Sequence, residues 1–210
     1  MNWYRSRLAR VLYFLVLAPV TLAVLSALPQ HAAPRPTANE ITFGIDPAQS
    51  KIHWTLESTV HTVHGSFAFK KGNMQVDTLT GKAGGEIVVD AASGNSGNDG
   101  RDKKMHREVL ESAKYSDIIF RPDRVEGQIS QQGMCSVRVH GVLVLHGSEH
   151  EMMLPMQGEL AGDHWSGSAK FQVPFIDWGL KNPSNFFLKV NHKVEIELEL
   201  KGSLQNPTAP

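Results

Sequence analysis

The sequence predicts an all-β protein, an antiparallel barrel of eight strands with one short helical insertion. Three observations predict this fold class. Short runs of alternating apolar and polar residues recur from Ile41 onward, each run ends at Gly, Pro, Asn or Asp, and most connections between runs are short. Short connections favour antiparallel neighbours, and a sheet with one apolar face buries that face when it closes on itself.

The first 33 residues are typical of an export signal. Residues 1–10 contain three arginines and no acid, and residues 11–28 are almost wholly apolar. A basic segment before an apolar one indicates a secretory signal peptide. Because roughly 18 apolar residues can nearly span a bilayer, the alternative is an uncleaved anchor that contacts the inner membrane through residues 11–28. Either way we expect a periplasmic or secreted protein.

The remaining chain divides into three predicted parts. They are a linker (34–40), a barrel domain (41–203) and a tail (204–210). In the barrel's run 51–57, Ile52, Trp54 and Leu56 share one face, because successive side chains of a strand point to opposite sides. Further runs with the same alternation are 65–71, 84–90, 117–125, 136–147, 151–160, 165–175 and 192–202. These runs together predict about eight strands, each with one inward apolar face.

One insertion interrupts the strands. Residues 92–100 are mostly Gly, Ser and Asn, which predicts a loop. A helix is predicted over 102–113, with Asp102 as its N-cap, because Met105, Val109 and Ala113 recur at helical spacing. Such a helix would cover one mouth of the barrel, either as a fixed plug or as a lid over a cavity.

Composition and motifs exclude several classes of function. Lys and Arg total 21, as do Asp and Glu, and removal of the first 33 residues leaves an acidic excess of three, so no basic field for nucleic acid is present. The single cysteine, Cys135, allows neither an internal disulfide nor a cysteine-based zinc site. The sequence has no G-x-S-x-G motif and no phosphate-binding glycine loop. We therefore predict a protein that is not an enzyme and requires no cofactor.

The ten histidines suggest a second hypothesis. No H-E-x-x-H or comparable metal-ligand spacing occurs. We interpret most of the histidines as solvated or hydrogen-bonded, and predict no metal site. The alternative is a metal site assembled from His61, His64, His146 or His150, in a metal-binding or stress-related periplasmic protein.

Five sequence blocks occur in an order and spacing that are specific when taken together. They are FGIDPAQSKIHW, VHGSFAFKKGNMQVD, GNDGRDKKMHREVLESAKYSDIIF, VRVHGVLVLHGSEHEMMLPM and AKFQVPFIDWGLKNPSN. In this order they resemble the YceI-like family of lipocalin-like barrels, over about residues 41–201. The resemblance implies a periplasmic lipocalin-like barrel that binds a long apolar chain, a polyisoprenoid or an isoprenoid quinone.

Alternation alone leaves open whether side chains or a ligand fill the barrel. A barrel filled by side chains would be a partner-binding module with a solid core. The resemblance favours a cavity that holds an amphiphilic lipid or quinone noncovalently, for transport or storage, and the oligomeric state is left open. The expected ligand-binding residues are inward-facing apolar side chains, namely Trp54, Phe67, Phe69, Val89, Phe120, Val139, Leu143, Leu154, Phe171, Phe175, Ile196 and Leu198.

Overall fold

The computed structural model describes residues 39–130 and 133–205 of the chain. The predicted export signal (1–33) lies outside the described residues, as do most of the predicted linker and the last five residues of the predicted tail. Within the described ranges, no helix is long and apolar enough to cross a membrane.

The described chain forms one closed antiparallel sheet of nine strands. They are β1 (Glu40–Ile45), β2 (Lys51–Leu56), β3 (Val63–Asp77), β4 (Ala83–Asn95), β5 (Asp117–Glu126), β6 (Gly133–Leu145), β7 (Ser148–Ala161), β8 (His164–Val173) and β9 (Val194–Gln205). Strands β1 and β2 both lie between β9 and β3, one after the other. They therefore fill a single position in the wall, and the prediction of an eight-stranded antiparallel barrel is confirmed.

The barrel wall extends slightly beyond the predicted domain bounds. Strand β1 begins at Glu40, inside the predicted linker, and β9 continues through Leu204 and Gln205, inside the predicted tail. Both extensions are explained by pairing, because Phe43 in β1 faces Leu204 in β9. The last residues of β9 thus contribute to the closure of the barrel.

One end of the barrel is closed by its own side chains. This closed end lies at the β3–β4 turn, where Val76, Val125 and Leu160 are buried in one cluster. Beside them, the rings of Phe43 and Trp165 meet edge to face, with centroids 5.5 Å apart. Aromatic pairs prefer this geometry to a face-to-face arrangement. The closed end is therefore a packed core that seals the interior.

The helical insertion lies over the opposite end and differs from the prediction. Helix α1 (Asp99–Lys104) begins three residues before the predicted range, and one π-helical turn (Met105–Val109) follows it. The N-cap is Asn98, whose side-chain oxygen accepts a hydrogen bond from the backbone of Arg101 at 3.0 Å. The prediction of Asp102 as the N-cap was wrong, because its carboxylate accepts hydrogen bonds from Ser96 instead.

The π turn also changes which residues face the barrel. The backbone N–H of Leu110 donates to the carbonyl of Met105, five residues earlier, at 2.9 Å. This wider turn shifts the helical phase, so that Leu110 faces the interior while Ala113 is exposed. The prediction of a regular helix through residue 113 was therefore wrong. The predicted loop 92–100 also begins later, since β4 continues to Asn95.

Candidate functional site

A cavity of about 480 Å³ occupies the barrel interior. Its volume falls within the range of roughly 300–1,000 Å³ that is usual for small-molecule sites. Apolar side chains from all nine strands line it. The cavity contradicts the solid-core alternative, because open space remains between the inward-facing side chains of the barrel.

All twelve residues predicted to bind a ligand line this cavity. They are Trp54, Phe67, Phe69, Val89, Phe120, Val139, Leu143, Leu154, Phe171, Phe175, Ile196 and Leu198. Their contact with a ligand stays a prediction. Several neighbours on the same strand faces were missed although the alternation includes them, for example Ile87 beside Val89 and Met152 beside Leu154.

Glycines in the wall make room for the large aromatic rings. Gly65 lies directly opposite Trp54 in the sheet, and a Cβ atom at Gly65 would overlap the indole ring. A Cβ at Gly141 would likewise lie 2.7 Å from the Phe120 ring. Each ring therefore lies against the backbone of a neighbouring strand. This placement keeps the aromatic side chains along the wall, so that the cavity stays open.

The cavity wall is polar only at the mouth, the end under the helical insertion. Of the lining residues, four carry polar or charged side chains, and they come from the loop after β2 and from α1: Ser58, His61, Arg101 and Lys104. The guanidinium of Arg101 donates to Ser96, at 2.7 Å to the hydroxyl and 3.0 Å to the carbonyl. An elongated amphiphile, with an apolar body and one polar end, matches this distribution.

Residues of the β8–β9 connection complete the mouth. Leu180, Pro183, Leu188 and Val190 line it, and the Nζ of Lys104 lies 3.5 Å from the carbonyl of Pro183. Sequence reasoning missed these four residues, because residues 174–193 show neither strand nor helix periodicity. Only Leu180 and Pro183 fall within the late sequence block, which ends at Asn185.

His106 attaches the helical insertion to the barrel wall. Its Nε2 lies 2.8 Å from the carbonyl oxygen of Gly94 at the end of β4, and its Nδ1 lies 3.1 Å from the hydroxyl of Ser112. A carbonyl can only accept, so Nε2 donates to Gly94, and in the neutral ring Nδ1 then accepts from the serine hydroxyl. The imidazole thus links the end of β4 to the segment that follows the π turn.

We expect His106→Ala to loosen the insertion without opening the barrel. The change removes two hydrogen bonds and leaves the Gly94 carbonyl without its donor, at a cost of about 1–3 kcal/mol. Hydrogen exchange of residues 99–109 should accelerate more than exchange of the strands. Lys103→Ala, at an exposed position of the same helix, is the control. Equal acceleration in both variants would contradict the role of His106.

Glu108 joins the insertion to the β8–β9 connection. Its carboxylate lies 2.6 Å from the guanidinium of Arg107 and 2.9 Å from the Nζ of Lys181. Hydrogen bonds from Arg107 and then Lys181 lower the pKa of Glu108 to about 2. The lowered pKa means that the folded state favours the charged carboxylate.

This shift gives a pH prediction. A carboxyl whose pKa is depressed on folding stabilises the fold above its unfolded pKa, here 4.5, and loses that contribution as the pH falls toward 2. At neutral pH, the rates of hydrogen exchange of residues 174–193 should therefore differ between wild type and Glu108→Gln. Below about pH 2 this difference should disappear. Glu159→Gln, an exposed change at the closed end, should show no such difference. An exchange difference that persists in strong acid would contradict the assignment.

The four histidines proposed for a metal site have separate environments. His61 lines the mouth, His64 lies 3.0 Å from the hydroxyl of Thr55, and His146 lies 2.6 Å from Glu111. His150 stacks on Trp178, with ring centroids 3.9 Å apart. Among the residues that the structure describes, no three His, Cys, Asp or Glu side chains come together to hold a metal ion. The metal hypothesis therefore gains no support from the geometry.

Comparisons with known proteins place this site in context. A model of the YceI-like domain family matches residues 43–202. No curated protein matches the sequence. The crystal structure of Burkholderia cenocepacia BcnA superposes with a TM-score of 0.61 at 16% identity, over 76% of this chain and 99% of that chain.

Two further solved structures have the same architecture. A polyisoprenoid binding domain from Saccharophagus degradans, implicated in plant cell wall breakdown, has a TM-score of 0.57 at 16% identity, over 78% of this chain and 98% of that one. A YCEI protein from Campylobacter jejuni has a TM-score of 0.55 at 16% identity, over 70% of this chain and 88% of that one. At these identities the likeness shows the shared fold.

Proposed function

The chain belongs to the YceI-like domain family, and we propose that it is an exported binding protein for an amphiphilic isoprenoid lipid. The ligand class is a polyisoprenoid or an isoprenoid quinone, held for transport or storage. The observation that carries this proposal is the distribution of polarity in the cavity, whose wall is apolar through its depth and polar only at the mouth. The related domain from Saccharophagus degradans, described as polyisoprenoid binding, supports the same ligand class.

The energetics of such binding need no specific polar contact inside the barrel. Burial of apolar surface contributes about 25 cal/mol per Å² removed from water, so an isoprenoid tail gains affinity along its whole length. The tail would contact the twelve predicted apolar residues, while the polar head group stays at the mouth beside Arg101 and Lys104. Binding is therefore noncovalent and requires no cofactor.

The mouth also supports a binding function in preference to catalysis. Ser58 is the one hydroxyl-bearing residue among the described lining residues, and its Oγ donates to the backbone carbonyl of His61 at 2.6 Å. A nucleophilic serine needs a base that accepts its proton. Since Ser58 donates to a backbone carbonyl, we propose that the protein is not an enzyme.

We infer export from the N-terminal sequence. The basic and apolar segments of residues 1–28 support a periplasmic or secreted location, with membrane contact through residues 11–28 where the segment is retained. We propose residues 41–203 as the ligand-binding domain. Its strands β1 and β9 continue to Glu40 and Gln205.

The test is native mass spectrometry of the protein purified gently from a bacterial periplasm, followed by organic extraction of the bound material. A stoichiometric isoprenoid adduct supports the proposal and gives the tail length. A clean unliganded mass, together with no uptake of polyprenol or isoprenoid quinone on titration, overturns it. A mass shift that matches a metal ion would support the histidine alternative instead.

A further inference from the structure

Two adjacent phenylalanines project into solvent beside the mouth. Phe186 is 88% exposed and Phe187 is 85% exposed, and their rings meet edge to face with centroids 5.2 Å apart. They lie between Pro183 and Leu188, both of which line the cavity. Val60, 67% exposed, lies on the loop after β2 that also forms the mouth. The large exposed apolar side chains at this end therefore border the entrance to the cavity.

Hydrogen bonds hold the two phenylalanines in this position. The side chain of Asn185 accepts from the backbone N–H groups of Phe187 and Leu188 at 2.9 and 2.8 Å. The backbone of Thr59 donates to the carbonyl of Lys189 at 2.9 Å and joins the two mouth loops. A defined turn therefore presents both rings outward, although burial of a phenylalanine side chain is favourable.

The charge around the two rings is basic. Residues 181–193 contain three lysines and no acid, and Lys189 and Lys193 are exposed. Lys103 and Lys104 of α1 add two exposed amines. The carboxylates at this end include Glu57, Asp99, Asp102, Glu108, Glu111 and Asp177, of which Glu108 is paired with Arg107 and Lys181, Glu111 with His146, and Asp177 with His192. Surfaces that lie in a membrane interface combine exposed apolar or aromatic side chains with lysines. The lysines are attracted to anionic lipids.

We propose that the mouth docks on an anionic lipid bilayer, with Phe186 and Phe187 inserted at the boundary between head groups and acyl chains. The cavity entrance would then face the membrane, and an isoprenoid tail could pass between bilayer and barrel without crossing water. That last step rests on the proposed function, whereas the docking does not. Basic charge around the rings favours a bilayer over a second copy of this chain, since two copies would bring like charges together.

A local probe on the full chain tests the docking. In a Cys135→Ser background, Val60→Cys carries an environment-sensitive fluorophore at the mouth, and Leu79→Cys carries it at the closed end, where Leu79 is 76% exposed. Vesicles of phosphatidylcholine with phosphatidylglycerol should shift the emission of the mouth probe to the blue, and leave that of the control unchanged. Because each probe reports its own surroundings, contacts of residues 11–28 with the vesicle do not produce this difference.

The double variant Phe186→Ser/Phe187→Ser identifies the inserted residues. We expect it to need at least about tenfold more lipid for half of the mouth-probe shift. An unshifted mouth probe, an equal shift in both probes, or an undiminished shift in the double variant would overturn the proposal. Self-association that depends on the two rings, measured by sedimentation without lipid, would also overturn it in favour of a dimer interface.

The same variant separates this inference from the proposed function. If the double variant keeps its isoprenoid adduct and loses the probe shift, both proposals stand. If neither protein ever carries an isoprenoid but the shift depends on the rings, the docking stands and the ligand assignment fails. If wild type carries the adduct and its mouth probe does not shift, the ligand assignment stands and the docking fails.

Discussion

Gly202→Ala is expected to lower the free energy of unfolding by about 3 kcal/mol, because overpacking of a filled site costs about 1–3 kcal/mol and a lost hydrogen bond adds about 1. Gly202 lies in β9, where β1 closes the barrel against it. A Cβ atom there would overlap the carbonyl oxygen of Gly44 and lie 2.8 Å from the indole nitrogen of Trp165. That indole donates to the same carbonyl at 3.0 Å.

Chemical denaturation measures this effect by comparing Gly202→Ala with a matched control variant, Gly84→Ala. Gly84→Ala adds the same methyl group within β4, where nothing lies within 4 Å of the added atom. We expect its unfolding midpoint to stay near that of wild type, and the midpoint of Gly202→Ala to fall clearly. Equal stability of the two variants would show that the closing strand pair accommodates a side chain and would contradict the packing described for β1 and β9.

Leu143→Trp is expected to weaken isoprenoid binding by more than 100-fold while the barrel stays folded. Leu143 lies on β6 and faces the cavity, so a larger ring there occupies space that the tail would use. Displacement of about four methylene groups costs about 3 kcal/mol at 0.8 kcal/mol each, which corresponds to a factor above 100. The added ring enters open space, so we expect little loss of stability.

Val144→Trp is the control for this loss of binding. Val144 is the next residue on β6 and points to the opposite face of the sheet, where it does not line the cavity. Titration with isoprenoid quinones of graded tail length, followed by native mass spectrometry, compares the two variants. Equal affinities of Leu143→Trp and Val144→Trp, with both proteins folded, would mean that the ligand does not occupy this part of the barrel.

The residues that line the cavity could be predicted because the side chains of a strand alternate between the two faces of the sheet. Once one face of a run is apolar and the sheet closes, residues such as Val139 and Leu154 must point inward. The matching of Trp54 with Gly65 could not be predicted, because it depends on the register between β2 and β3. Nothing in either strand alone shows which residue lies opposite the ring.

The mouth was harder to predict because its residues follow no single period. Asn98 and Asp102 are both good N-cap residues, and only the hydrogen bonds from Ser96 to Asp102 decide between them. The π turn then displaces the helical phase by one residue, which moves Leu110 inward and leaves Ala113 outside. Phe186 and Phe187 had no pattern to identify them, since their exposure depends on the turn built by Asn185.

The closed end formed by Val76, Val125 and Leu160 makes the barrel a tube with a single opening. An isoprenoid lipid bound as proposed would therefore enter tail first and leave head first, and the first isoprene unit to enter would be the last to leave. Units beyond the depth of the tube remain outside and add no burial, so affinity should increase with tail length and then level off. For the proposed ligands, the packing of three aliphatic side chains at the far end would thus set an upper limit on how strongly the protein discriminates between long tails.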